Sequence, residues 1–394
     1  MGERISSLYM PTDFSVRKFA RKVKADGLKS ALIAAPELVV RNKIGRPIFE
    51  YLASRGTIHI VNREELLDRS ASRYSIDSEF SEEGCEPPFL VELDNAFVFP
   101  TTGLAVTNQL ELLEESVTSP INSRQITMAA ISRQCFYDDI STARWLLRSD
   151  QKYLRANAET VTRACLIAPR HPNYYHWMIE TVPRIRYLEK YVAQTGNEVT
   201  LLIPSGLPAW ASQTLDLLGW PNSKIEILSS PAVHVENLVL PSFPEPNVND
   251  LQWIRKRILE NESPDADATD FGKNIYISRS NAIERRVINE EEVMNALSKY
   301  NFERFHLEER SLSQNAHMFN NAELIVGPHG AGLTDLIFST DGSVLELFGS
   351  KVKQPYERLS SILGIKYESL GCSPKSTDIV VDPERLETKV QDML

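Results

Sequence analysis

From residue 163 onward, short apolar runs rich in Val, Ile and Leu alternate with stretches of helical spacing. RACLIAP (163–169) is followed by the helix-like YYHW segment, then VTLLIP, LPAWASQTLDLLG, KIEIL and HVENLVLP. A second series opens with NDLQWIRKRILE and continues through NIYISR, NEEEVMNALSKY, FERFHL, SLSQNAHMFNNA, ELIVGPHG, AGLTDLIF, SVLELF and IKYESL. Strands separated by helix-length segments predict βαβ units, parallel sheets and helices on the sheet faces. PSFPEPNVND (241–250), with three prolines, reads as a linker between the two series. The expected architecture is therefore α/β, with two Rossmann-like doubly wound domains facing a cleft. Ligands in such sheets bind beyond the carboxyl ends of the strands.

The boundaries follow from composition. Residues 1–88 combine a basic stretch, RKFARKVKADGLK (17–29), with a Ser/Glu-rich segment ending in a double proline, and form an N-terminal α/β appendage. From about residue 89, FLVELDNAFVFP and GLAVTN show β-like patterning broken by Asn, Pro and Gly, so a small antiparallel element is expected there. The domains are thus 1–88, 89–240 and 241–394. With 43 Lys+Arg against 53 Asp+Glu the chain carries a net charge of -10, which disfavours a general nucleic-acid binder. The four cysteines contain no CxxC pair, and no apolar stretch long enough for a membrane span is present, so a reducing cytosol is the expected compartment. The basic stretch leaves open a peripheral contact with an anionic membrane or a protein complex, against the blander reading of a solvated helix face.

Chemistry concentrates in three segments. In ELIVGPHGAGLTDLIF (323–338) an apolar strand runs into Gly327, Pro328, His329, Gly330, Ala331 and Gly332 before a helical pattern begins near Leu333. Small residues let the backbone approach a ligand, and a helix N-terminus offers unpaired N–H groups, so the turn suits a phosphate. It lacks the Gly-Lys-Ser/Thr of a P-loop and does not match GxGxxG. In NIYISRSNAIERRVINEEEV (274–293), Arg279 ends a strand, Arg285 and Arg286 follow in a polar loop, and Asn289 is a plausible N-cap. Guanidinium forks match phosphate oxygens, whereas salt bridges to Glu284, Glu290 or Glu291 are the alternative. In SVLELF (343–348), Glu346 lies in an apolar strand and must be paired or reach a polar ligand.

The third segment, HPNYYHWMIETVPRI (171–185), is two-sided. Met178, Val182, Ile185 and Leu188 form an apolar helical stripe, while His176, Glu180 and Arg184 recur every four residues on another face. Pro172 fits a first helical turn, and Pro183 should kink or restart the helix. His176 and Glu180 are one turn apart, the spacing either of a general-base pair or of an incidental helix-stabilising pair.

Together NYYHWMIETVPR (173–184), ISRSNAIERR (277–286) and GPHGAGLTDLIF (327–338) resemble glycosyltransferase family 61 over roughly residues 90–372. The resemblance implies a GT-B fold and an inverting, metal-independent hexosyl- or pentosyltransferase that needs no cofactor beyond its nucleotide-sugar donor, here a UDP-sugar. It implies that Arg279, Arg286, His329, Gly330, Ala331 and Gly332 line the diphosphate, with Arg285 beside them, and that Glu346 holds the ribose. Asn173, His176 and Glu180 would face the sugar and the acceptor, with Glu180 or His176 as base. Asp265-Ala266-Asp267, the one Asp-x-Asp of the chain, lies in an acidic Pro-containing loop and is not expected to chelate a metal. Position 335 is Asp where many relatives carry Asn. A bacterial-type cytoplasmic enzyme of surface polysaccharide synthesis, acting on a glycan or glycolipid acceptor at the inner face of the membrane, is the expected setting; a homo-oligomer is compatible with it. The alternatives are an epimerase or hydrolase on the same fold, and a non-catalytic scaffold of a biosynthetic complex.

Overall fold

A computed structural model describes residues 51, 59–70, 72–76, 87–100, 103–117, 158–168, 173–228, 230, 232–261, 271–349 and 354–394. The basic stretch 17–29, the acidic loop 262–270 and Pro172 lie outside the described residues.

The described part is mixed α/β and is built on two sheets. Strands β1 (Ile60–Val61), β2 (Arg73–Ser75), β3 (Phe89–Phe99), β4 (Leu104–Val106), β5 (Leu112–Leu113), β6 (Glu159–Leu166), β7 (Thr200–Pro204), β8 (Ile225–Leu228) and β9 (Val233–Pro241) make the first. Its order is β1-β5-β4-β3-β9-β6-β7-β8, with β2 also paired to β3. The half from β9 to β8 is parallel, whereas β3 runs antiparallel to β2, β4 and β9. The antiparallel element expected over 89–106 is therefore present, but its long β3 pairs with β9 from Leu90↔Pro241 to Val98↔Val233 and so belongs to the main sheet. Short strands from the expected appendage, β1 and β2, join it too.

The second sheet comprises β10 (Asn274–Ile277), β11 (Phe302–Phe305), β12 (Leu324–Pro328), β13 (Ser343–Phe348) and β14 (Lys366–Gly371). All are parallel, in the order β11-β10-β12-β13-β14. A small antiparallel pair, β15 (Ser373–Lys375) with β16 (Asp378–Val380), follows. Strands β12 and β13 are almost continuously apolar because both faces are covered. On one face Tyr276, Val326, Leu345 and Leu370 pack with the helices Glu290–Leu297 and Pro383–Met393. On the other, Ile275, Ile277, Ile325 and Val344 join a second cluster, as the period-two alternation of a strand requires.

That second cluster continues into the first sheet through Cys165, Leu201, Ile203 and Val239, and takes in Tyr187 and Leu188, Ile254, Phe319 and Phe338. The helices Pro183–Thr195, Val248–Glu260 and Leu312–Asn321 thus contribute to one apolar body reaching both sheets. The proline-rich connection is anchored: Ser242 N–H donates to the Phe89 carbonyl at 2.8 Å, and Phe243 N–H to the buried Glu115 carboxylate at 2.6 Å. Asn247 caps the following helix by accepting from Asp250 N–H at 2.9 Å. Asp250 in turn accepts from Arg186 at 2.7 Å and the Tyr187 hydroxyl at 2.5 Å, so its buried charge is satisfied.

Candidate functional site

The chain leaves β10, crosses to β11 on one side, and returns to β12 on the other side of β10. The connections therefore diverge between the carboxyl ends of β10 and β12, where open α/β sheets leave a crevice for ligands. Here the crevice is a cavity of about 300 Å³ lined in part by Ile277, Arg279, Leu307, Glu308, Gly330 and Gly332. Its apolar walls come from strand ends and from Leu307, while Glu308 and Asn281, hydrogen-bonded at 3.0 Å, supply a polar rim.

The glycines in this turn let neighbouring side chains pack close. A Cβ on Gly330 would overlap the Arg279 guanidinium, lying 2.7 Å from its Cζ. At Gly332 it would lie 2.8 Å from Leu307 Cδ1, and at Gly327 3.1 Å from Ile277 Cβ. Gly330 itself is extended (φ 177°), so it is the close approach of Arg279 that excludes a side chain. The run Ala331–Phe338 that follows is a 310 helix and opens at Ala331, two residues before the expected start at Leu333.

The three candidate arginines differ sharply. Arg279 donates from Nη2 to the Glu284 carbonyl at 3.3 Å, and its Nε is buried without a hydrogen-bond partner among the described residues. Burial first, and the neighbouring Arg285 charge second, push its pKa down from the ordinary guanidinium value. Arg285 also has a buried Nε lacking such a partner, and Glu284 stands 4.0 Å away. Its φ of 63° is uncommon for a bulky residue and costs roughly 1–3 kcal/mol, a strain of the kind found at ligand sites. Arg286 is different: it pairs with Asp378 through Nη2 at 2.7 Å, and that bond raises its pKa. For Arg286 the salt-bridge alternative holds, but with Asp378, 92 positions on, rather than Glu284, Glu290 or Glu291 as the partner. Glu290, by contrast, is held by the hydroxyls of Tyr276 and Ser278 and by Arg304.

His329 follows β12 and is buried. Its Nδ1 lies 2.5 Å from Glu346 Oε1, and the other Glu346 oxygen accepts from the Tyr367 hydroxyl at 2.8 Å. Glu346 is fully buried in β13, opposite Gly327 in the register. Both its oxygens are engaged within the protein, so its immediate structural task is to hold His329. The imidazole stacks on Phe348 at 5.3 Å and meets Tyr356 at 5.4 Å, leaving Nε2 as its remaining polar atom.

The segment 173–195 follows β6 in the chain. Asn173 is the N-cap, accepting from Tyr175 N–H at 2.9 Å. After one α turn, Trp177–Thr181 is π-helical, and Val182 N–H reaches back to the Trp177 carbonyl at 2.9 Å. Pro183 then starts a new α-helix, the restart that its missing N–H leads one to expect. Met178, Val182, Ile185 and Leu188 are all buried in the core. His176 Nδ1 approaches Glu180 Oε2 at 2.8 Å, and both side chains keep partial exposure. Arg184 turns inward, donating to the Glu115 carbonyl at 2.5 Å and lying over Phe243. Asn289, read as an N-cap, occupies that position but makes no cap hydrogen bond; its side chain instead bonds Val381 and Glu292.

Two contacts bring this segment to the β12 turn. The Tyr174 hydroxyl donates to Asp335 Oδ1 at 2.5 Å, and Tyr175 packs edge-on against Tyr356 at 5.9 Å. Burial raises the pKa of Asp335 to about 7, against the opposing pull of the Tyr174 bond. Neither Asp335, Tyr356 nor Tyr367 stood out as a site residue in the sequence. The signal for Asp335 was a carboxylate inside an otherwise apolar run.

Residues 174–345, just under half the chain, match the family described as Glycosyltransferase 61. A stretch of 98 residues is 30% identical to the EGF domain-specific O-linked N-acetylglucosamine transferase of Drosophila melanogaster, covering 24% of this chain and 19% of that protein. The protein of the same name from Gallus gallus is 30% identical over 89 residues, covering 21% of this chain and 17% of its own length. The aligned region thus spans about a fifth of each curated relative. A solved structure of rubredoxin oxygen:oxidoreductase from Desulfovibrio gigas overlaps 56% of this chain and 50% of its own, at 10% identity and a TM-score of 0.23, too low to support an argument.

Proposed function

Because residues 174–345 belong to glycosyltransferase family 61, we propose that this chain transfers a sugar from a nucleotide sugar, a UDP-sugar first among candidates, to a glycan or glycolipid acceptor. The observation that carries the donor site is the buried Nε of Arg279, packed against Gly330, with the charge of Arg285 acting on it. An arginine with an unspent donor lining the crevice of a parallel sheet, and a second arginine charge next to it, fit an anion with several oxygens.

In this reading the diphosphate sits against Arg279, Arg285, His329 Nε2 and the opening N–H groups of the 310 run, and the nucleoside fills the adjoining cavity of about 300 Å³. The acceptor hydroxyl loses its proton to Glu180, oriented by His176, as its oxygen attacks the anomeric carbon from the face opposite the phosphate. The carbon–phosphate oxygen bond breaks, and the leaving nucleoside diphosphate takes the electron pair into the field of the two arginines. A single displacement of this kind inverts the anomeric centre, and the arginines supply the charge compensation that a divalent cation supplies in other designs. Arg286 contributes less, since its charge is already met by Asp378. The two sheets would then be the halves of a GT-B arrangement. Surface polysaccharide synthesis on the cytoplasmic side is the setting we propose.

Incubation with a panel of nucleotide sugars tests the reading. Acceptor-dependent release of nucleoside diphosphate, abolished by Arg279→Ala, is expected. Release of free or epimerised sugar without an acceptor would favour a hydrolase or epimerase instead.

A further inference from the structure

The His176–Glu180 pair and the Arg279–His329 cradle arise from different sheets, and the reaction needs them at one fixed separation. Effective displacement requires reacting groups held close to their productive geometry. Two bridges span the gap. One is apolar: Tyr175 meets His176 at 5.6 Å and Tyr356 at 5.9 Å, and Tyr356 meets His329 at 5.4 Å. The other is polar: the Tyr174 hydroxyl reaches Asp335 at 2.5 Å, while the Tyr174 ring packs edge-on against Trp210 at 5.6 Å. Asp335 is 2% exposed, and its hydrogen bond from Tyr174 joins residues 161 positions apart in sequence.

A buried carboxylate is costly to keep unless it is paired or bonded. Asp335, on the 310 run that Gly330 precedes, accepts from a tyrosine one residue from Tyr175 of the aromatic bridge and two from His176. We propose that Tyr174 and Asp335 are positioning residues, tying the acceptor-side segment 174–181 to the donor-side run 331–338 so that the base and the diphosphate cradle move as one unit. They touch neither substrate; they act through the elements that do. The rate consequence rests on the transferase reading, whereas the mechanical coupling does not.

Hydrogen exchange and steady-state kinetics on the full chain test this together, using Tyr174→Phe and Asp335→Asn. The phenylalanine keeps the ring packing and removes the donor; the asparagine keeps an acceptor oxygen of the same shape. Tyr174→Phe is expected to speed amide exchange in both 174–181 and 331–338 by about tenfold, the scale of one lost hydrogen bond. It should lower kcat while leaving the donor KM within about twofold, the pattern of an interaction expressed in the transition state. Asp335→Asn should exchange no faster than wild type and retain most of the rate. Unchanged exchange in 331–338 in Tyr174→Phe overturns the coupling, and so does an Asp335→Asn protein as impaired as Tyr174→Phe. Raised exchange with unaltered kcat overturns the positioning role. A wild-type chain that turns over no nucleotide sugar fails the transferase reading separately, and the exchange data still decide whether the pair ties the two segments.

Discussion

The guanidinium of Arg279 occupies the space where a side chain on Gly330 would stand: a Cβ there would lie 2.7 Å from Arg279 Cζ. Strand β10 supplies the cation and strand β12 supplies the gap, and both follow from the crevice between those strands.

Gly330→Ala should therefore act as an arginine displacement. The added methyl overlaps the guanidinium, the flexible end of the Arg279 side chain, so Arg279 is displaced from its present position. A loss of nucleoside diphosphate affinity of about 100-fold is expected, on the scale of a charge-assisted bidentate contact, with little change in the thermal midpoint. Calorimetric titration beside a melting curve separates the two effects.

The three arginines should divide by their existing partners. Arg279→Ala and Arg285→Ala remove charges whose buried Nε atoms lack protein acceptors among the described residues, and should weaken nucleotide binding strongly. Arg286→Ala breaks the ion pair to Asp378, which is substantially exposed on the arginine side, and should cost stability by less than about 1 kcal/mol with a small change in affinity. Equal losses of affinity in all three would contradict this division.

Glu180→Gln and His176→Ala should lower kcat by roughly 10²–10⁴-fold, the range for a general base, while leaving nucleotide affinity within a few-fold. Their 2.8 Å contact lies on the segment 174–181, away from the cavity lining. Rapid-quench kinetics with saturating donor measure the chemical step directly.

Asp335 gives a pH dependence of definite sign. Its folded pKa of about 7 lies above the ordinary aspartate value of 3.8, so the folded protein binds the extra proton between these values. Its contribution to stability is fully present below about pH 4 and is lost as pH rises through about 7, by a few kcal/mol. Asp335→Asn removes that loss. Denaturant titrations from pH 4 to pH 8 should show the variant gaining stability relative to wild type as pH rises, with the difference vanishing toward pH 4.

Much of this architecture is legible along the chain because parallel strands and their helices write local patterns. The alternation from RACLIAP to IKYESL corresponds to β6 through β14, and Met178, Val182, Ile185 and Leu188 are the buried stripe that their spacing implied. Pro183 was expected to kink or restart the helix, and a new α-helix begins there after the π-helical stretch Trp177–Thr181. Pairings across long sequence separations were not legible. Asp378 lies 92 positions from Arg286 and Asp335 161 from Tyr174, and no local period links them. Glu346 shows both sides: its carboxylate in an apolar strand marked it as needing a partner, yet only the register of β13 with β12 brings it to His329. The proline-rich connection misleads in the other direction, since its prolines suggest a free linker while Ser242, Phe243 and Asn247 bind it to the body of the protein.

In the proposed function, Arg279, Arg285 and the glycine turn form a nucleoside diphosphate site. Calorimetric titration of UDP into the wild-type chain and into Arg279→Ala decides whether they do. Saturable one-to-one binding by the wild type, weakened at least about 100-fold in the variant, is the result expected. Binding of equal strength in both proteins, or none in the wild type by UDP or any other nucleoside diphosphate, would contradict it.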